Sequence, residues 1–277
     1  MVPLTLALGA SVAWGASDFL GGLATRRLPL VAVLFGAQLV GLVLAATVWL
    51  LAGGGVPKAE GFVLATGAGL AELVGFALLY RGLAIGEMSL VAPLAALTAL
   101  VPIVVAVTGG ERIAAPQACG IALALIGTML AASEPGARRL ARGAGFGIAA
   151  AVAFGVFLVG LGEASEHAGP GAVLVGRLAS VSALMAFLCA RRPAVAATRQ
   201  DMGTLGALGA LDVLANLAYA QAATGGSDAV IAVLASLYPL TTVLLARALL
   251  HEHLGRVRCT GVAAVLLGVA LLSAGQL

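Results

Sequence analysis

Long apolar runs follow one another from end to end of this chain, and they constrain its fold more than any other feature. Ten can be read, at 4–24, 30–52, 61–82, 89–108, 113–132, 143–162, 171–190, 203–224, 228–249 and 256–274. Each matches the roughly 20 apolar residues that a helix needs to cross a bilayer. The breaks are short clusters of Gly, Pro and charge, such as Gly53-Gly54-Gly55-Val56-Pro57-Lys58 and Gly109-Gly110-Glu111-Arg112. Helices are expected rather than barrel strands. The runs are continuous, whereas barrel strands alternate in short segments. The sequence therefore predicts an all-α integral membrane protein of ten transmembrane helices. Ten spans nearly exhaust 277 residues, which leaves no room for a soluble domain or a nucleotide-binding cassette. Only 10% of residues are charged, against roughly 25% in a water-soluble domain.

The small excess of positive charge, 15 Lys+Arg over 12 Asp+Glu, sits at loops and helix ends rather than on a phosphate-tracking surface. Nucleic acid is not an expected partner. The cysteines Cys119, Cys189 and Cys259 lie in apolar stretches without a CxxC spacing and read as small buried hydrophobes. His251-Glu252-His253 lacks the HExxH spacing, so no metal and no cofactor is expected. The first run is too long for a signal peptide and reads as the first span. No phosphate-binding GxxxxGK[ST] sequence is present, so transport energy would come from gradients.

The chain repeats itself. Glu111, Gly120 and Gly127 recur as Glu252, Gly261 and Gly268, and Pro29 recurs as Pro170, all at one common offset. Trp14-Gly15 recurs as Phe154-Gly155, Tyr80 as Tyr219, and Pro102 as Pro239, with only the small drift in offset that changes in loop length produce. The reading is two five-helix repeats, 1–132 and 143–277, joined by a linker at 133–142. Five is odd, so the second repeat enters the membrane from the opposite side. Inverted repeats of this kind place a substrate site at the midplane between them.

Several motifs resemble a known family. Trp14-Gly15 with Phe19, Tyr80-Arg81-Gly82-Leu83-Ala84, Ala92-Pro93-Leu94 with Pro102, and Gly110-Glu111-Arg112 before a Gly-rich fifth helix are similar to the EamA-type branch of the drug/metabolite transporter superfamily. The resemblance covers essentially the whole chain. It implies a ten-helix carrier of small metabolites in the cytoplasmic membrane, often an exporter of amino acids or related compounds. It carries over no substrate residue. His251 stands where Gly would precede Glu252, a departure from the pattern. Orientation has two readings. Twelve cations, Arg26, Arg27, Arg191 and Arg192 among them, follow the odd-numbered runs, while Lys58 and Arg112 follow even ones. The positive-inside rule then puts both termini outside, whereas the resemblance implies termini inside.

Charge within a span is the informative chemistry, because it costs roughly 2.5–3.5 kcal/mol on insertion scales and faces the protein interior or a wet cavity. Asp18, Glu72, Arg177 and Asp212 qualify. Glu72 and Asp212 are mid-span in equivalent runs. Asp212, Asn216 and Tyr219 form one polar stripe, as do Ser11, Trp14 and Asp18. Tyr80 shares the Glu72 face, and Gln38 lies at a depth similar to Arg177. These residues are the candidates for binding substrate or protons. Plainer roles stand beside these: Arg177 as an ion-pair partner of a buried acid, Asp18 as a surface partner of Arg26 or Arg27, and the aromatics as packing. Pro93, Pro102 and Pro239 are candidate kinks or gates. Glu111 and Glu252 suit helix N-termini. Gly120, Gly127, Gly261 and Gly268 mark helix contacts, within one chain or in a homodimer seam.

The expected partners are a lipid bilayer, a small-molecule substrate and protons as coupling ion. A facilitator or exchanger of the same fold is the alternative reading. An intramembrane enzyme would need a nucleophile–base pair that the sequence lacks, and a membrane scaffold would not need acids at equivalent points.

Overall fold

The computed structural model describes residues 2–55, 57–85, 91, 94–110, 113–131, 143–192, 199–225, 228–250 and scattered positions from 257 to 271. Helix dominates these residues and no strand occurs among them. A backbone in lipid has no water to bond, so each segment satisfies its own amides. The helices are α1 (Val2–Ala24), α2 (Leu30–Leu51), α3 (Ala59–Ile85), α4 (Leu100–Thr108), α5 (Ala115–Ala131), α6 (Ala144–Ala168), α7 (Pro170–Arg191), α8 (Arg199–Ala223), α9 (Asp228–Ala235) and α10 (Tyr238–Leu250). A 3₁₀ turn, Ala96–Ala99, precedes α4. Six helices among the described residues, α1–α3 and α6–α8, are long and apolar enough to cross a membrane. Runs four, five and nine carry shorter apolar helices. Run nine is divided into α9 and α10. The tenth run lies mostly outside the described residues, so nine of the ten expected helices are seen among those described.

Proline and glycine punctuate the elements. Pro29 caps α2, and Pro170 opens α7, where a missing amide N–H loses nothing. Gly53 and Gly110 follow helix ends with φ of 99° and 96°, a left-handed backbone that a side chain would resist.

Packing relates the two halves. Helix α1 lies along α8, and its counterpart α6 lies along α3. Helix α2 packs on α8 as α7 packs on α3, and α2 meets α7. Helix α1 also meets α9 and α10, as α6 meets the 3₁₀ turn and α4. The close approaches obey the same exchange. A Cβ on Gly69 would run into the Gly176 backbone, and one on Gly209, its equivalent in the second half, into the Ala37 carbonyl. A Cβ on Gly15 would strike the Tyr238 carbonyl and Thr241. One on Gly155 would lie 2.5 Å from Val101 Cβ. Without a hydrophobic drive between helices in lipid, such small-residue crossings let dispersion hold the bundle.

The outer surface is aliphatic. Val43 on α2, Phe62, Val63 and Val74 on α3, and Val152 and Val156 on α6 are all exposed, the belt expected against lipid. Cys119 and Cys189 are exposed free thiols, which corrects the expectation that they are buried. In lipid an apolar thiol gains nothing by turning inward. A Cβ on Gly268 would lie 2.7 Å from Gly120 O and from Ala124 N of α5, so this glycine serves a contact within the chain. Pro93, Glu111, Glu252, His251 and the 133–142 linker lie outside the described residues.

Candidate functional site

Six buried polar side chains from five helices meet in the interior. Arg177 on α7 is their centre. Its Nη1 donates to Gln38 Oε1 of α2 at 2.6 Å. Its Nη2 donates to Asp212 Oδ2 of α8 at 2.7 Å and to Glu72 Oε1 of α3 at 3.1 Å. Asn216, one turn after Asp212, donates from Nδ2 to the same Glu72 oxygen at 2.6 Å. The Trp14 indole N–H of α1 donates to Asn216 Oδ1 at 2.8 Å. Arg177 is 1% exposed, and Glu72, Asp212, Gln38 and Asn216 are each 2% exposed. The cluster is buried, so its ion pairs act at a lower dielectric than in water and their geometry matters.

Why these residues meet follows from the repeat. Gln38 and Arg177 are related by the offset that links Tyr80 to Tyr219, and Glu72 and Asp212 by the one that links Trp14 to Phe154. They are equivalent positions of the two halves and face each other across the relation that exchanges them. The Gly69–Gly176 crossing brings α3 and α7 close enough for Arg177 to reach Glu72. Ser180 fastens the same crossing by donating to Gly69 O at 2.7 Å. Four of the five cluster hydrogen bonds join residues of different halves.

Asp18 stands apart. It is 6% exposed, and among the described residues no hydrogen bond or ion pair holds its carboxyl. It does not form the surface pair with Arg26 or Arg27 that its position near the end of the first run allowed. Instead it borders a narrow apolar cavity. Glu72, Trp14, Phe76, Phe154 and Phe157 line the same space, with Thr98 of the 3₁₀ turn and Ser236 and Tyr238 at the α9–α10 junction. The aromatics pack edge to face. The Trp14 and Phe157 rings are 6.0 Å apart at 71°, and Phe76 and Phe154 are 5.1 Å apart at 78°.

Two helix irregularities border this cavity. Helix α9 ends at Ala235, four residues before Pro239, and the 3₁₀ turn contains Thr98, four residues before Pro102. A proline supplies no amide to the carbonyl four residues back, and its ring crowds that carbonyl. Ser236 Oγ donates to Ala232 O at 2.7 Å, and Tyr238 Oη to Ala95 O at 3.1 Å, so the two breaks are tied together.

The remaining candidates lie at the margin. Tyr219 donates to Leu158 O at 3.1 Å and contacts the Trp14 ring. Tyr219 and Leu158 also line a second, wider cavity, bordered by Pro102, Glu163 and Glu166. Tyr80 packs against Gly21, and its buried hydroxyl has no hydrogen-bond partner among the described residues. The reading from sequence did not single out Phe76, Phe157, Thr98 or Tyr238. Phe76 is one turn beyond Glu72, and Phe157 one turn beyond the repeat partner of Trp14. That helical register was the available signal.

A family model described as the EamA-like transporter family matches residues 1–133 and again 141–274. No curated protein matches the sequence. Among the solved structures, one titled "Crystal structure of protein" superposes with a TM-score of 0.79. The match covers 98% of this chain and 96% of that one at 16% identity, a likeness of fold alone.

Proposed function

Because the chain belongs to the EamA-like transporter family, and so is a multi-pass membrane transporter, we propose that it is a secondary transporter working by alternating access. On this reading it exports a small polar metabolite, an amino acid or related compound, across the cytoplasmic membrane in exchange for protons. The observation that carries the proposal is the charge balance of the interior. Three buried carboxyls, Asp18, Glu72 and Asp212, share the interior with one buried guanidinium, Arg177, which pairs with Glu72 and Asp212. Buried charge must be matched. Two further positive charges, as protons or on a substrate, are needed to neutralise the site.

The halves 1–132 and 143–277 would rock about the Arg177 cluster. The interrupted fourth and ninth runs, with Pro102 and Pro239, would flex at the cavity wall. A proton on Glu72 or Asp212 would weaken that acid's tie to Arg177 and loosen the contact between halves. The groups that share this field are Asp18, Glu72, Asp212, Arg177 and the Tyr80 and Tyr238 phenols. The positive-inside rule puts the Glu163/Glu166 cavity on the outer face, with both termini there. Asp212→Asn and Glu72→Gln in proteoliposomes test the coupling. One amide should retain substrate exchange and lose the response to an imposed pH gradient. If both still concentrate substrate when given a pH difference, neither acid couples protons. If no solute crosses with the unmodified protein, the transport reading itself fails.

A further inference from the structure

We infer that the solute taken by the central cavity is an organic cation with an aromatic or similarly apolar body, held by Asp18 against the faces and edges of Trp14, Phe76, Phe154 and Phe157. This rests on the transporter reading and, among compounds related to amino acids, selects a cationic amine over the zwitterionic amino acid itself. Three observations carry it. First, Asp18 borders the cavity, is buried, and has no hydrogen-bond or ion-pair partner among the described residues. A buried carboxyl without a partner is favourably ionised only when a cation is brought to it, and that makes it a counter-ion site for a cation. Second, no cationic side chain among the described residues lines the cavity. Arg177, which would have suited a substrate carboxylate, does not line this cavity; it borders a smaller neighbouring one beyond Glu72 and Phe157, where its terminal nitrogens are taken up by Gln38, Glu72 and Asp212. An anion or zwitterion would therefore bring a carboxylate into a space already bordered by two acids, Asp18 and Glu72. Third, the walls are aromatic. Ring faces attract cations by roughly 0.5–2 kcal/mol, most strongly where water is excluded. They bury an apolar body as well.

The approach to this cavity has the same character. Leu158 is a wall shared between it and the outer cavity, where Glu163 and Glu166 stand exposed. An acidic mouth raises the local concentration of cations and disfavours anions.

The test uses three indoles that differ chiefly in charge: tryptamine, a cation at neutral pH; tryptophan, a zwitterion; and indole-3-propionate, an anion. Each is titrated calorimetrically into the full-length protein in nanodiscs, and each is tried as a counterflow substrate in proteoliposomes. Tryptamine should bind at least tenfold more tightly than the other two and exchange across the membrane. Asp18→Asn should weaken tryptamine binding at least tenfold, and Asp18→Glu should restore most of it. Should Asp18→Asn fail to fold, the charge series in the unmodified protein still decides. The inference is overturned if tryptophan or indole-3-propionate binds as well as tryptamine, if Asp18→Asn leaves tryptamine binding unchanged, or if no indole binds. Exchange of a zwitterion or anion instead would sink this inference and leave the transporter reading standing.

Discussion

Arg177 makes three hydrogen bonds through its two terminal nitrogens, while its buried Nε has no partner among the described residues. A guanidinium does not shed its proton, so its neighbours must carry the balancing charge. Removing it leaves two acids facing each other in a dry interior. Breaking a buried pair from one side costs about 3–5 kcal/mol. Arg177→Ala should therefore lower the thermal unfolding midpoint in detergent sharply. Adding Asp212→Asn should recover part of that loss, because it removes one of the charges left uncompensated. No recovery in the double variant would mean that the acids are not paired through Arg177. Arg177→Lys keeps the charge but not the planar fork, so it cannot serve Gln38 and both acids together. It should fall between the parent and Arg177→Ala.

Helix–helix distance decides whether these side chains can meet at all. Gly69 and Gly67 lie on the same helix and differ only in what faces them. A Cβ on Gly69 would meet the Gly176 backbone, while nothing lies within 4 Å of one on Gly67. Gly69→Ala should push α3 from α7, lengthen the Arg177–Glu72 contact and destabilise by about 1–3 kcal/mol. Gly67→Ala should be neutral or slightly stabilising, since alanine is the better helix former. Equal midpoints for the two variants would argue against the crossing as a determinant of the site. The interrupted elements carry a separate expectation. With the native cysteines replaced, cysteines at Thr98 and Ser236 should react with a small polar thiol reagent and be protected by substrate. Cysteines on the lipid-facing side of α5 should stay silent toward it. Reaction along α5 with silence at both cavity positions would contradict a gate at the fourth and ninth runs.

Across the whole molecule, the halves exchange packing partners, and under the proposed alternating access a small rearrangement at the centre would act as a rocking motion. The pairs α1–α8 and α6–α3 are alternatives of one contact. A state in which one loosens while the other holds has a counterpart with the roles reversed. Identical halves would make those two states equal in energy. This chain is not identical across the exchange. Asp18 corresponds to Leu158, and Asn216 to Phe76, in the register that aligns Trp14 with Phe154. Leu158 lines both cavities, while Asp18 lines only the central one and Glu163 and Glu166 only the second, so the two spaces present different chemistry to a solute. Orientation is the global property most directly checked. A reporter active only in the cytoplasm, fused at the C-terminus, should stay inactive if the twelve-cation face is inside. An active reporter would reverse the assignment of the Glu163/Glu166 mouth to the outer face.

By itself the sequence determined the class of fold, the transmembrane character and the repeat. Each rests on one-dimensional information: the length of apolar runs against bilayer thickness, and recurrence at a nearly constant offset. It also marked the buried polar residues, because charge inside a span has few explanations. Their partnerships were not legible. Helical register places Asp212, Asn216 and Tyr219 on one stripe, yet says nothing of which neighbouring helix faces that stripe. Only the crossings at Gly69–Gly176 and Gly209–Ala37 decide that Arg177 reaches Glu72 and Gln38 rather than the cavity. The packing of α1 against α8, α9 and α10 puts Asp18, near the end of its run, in the interior, without a partner among the described residues, instead of at the surface beside Arg26. The breaks before Pro102 and Pro239 could be located in the chain, because a proline leaves the carbonyl four residues back without its amide. That the two breaks lie together, with Tyr238 donating to Ala95, depends on how the halves pack. Spacing along one chain encodes which residues share a helix face. Contact between faces of different helices is set by how closely their backbones approach, and that is decided in three dimensions.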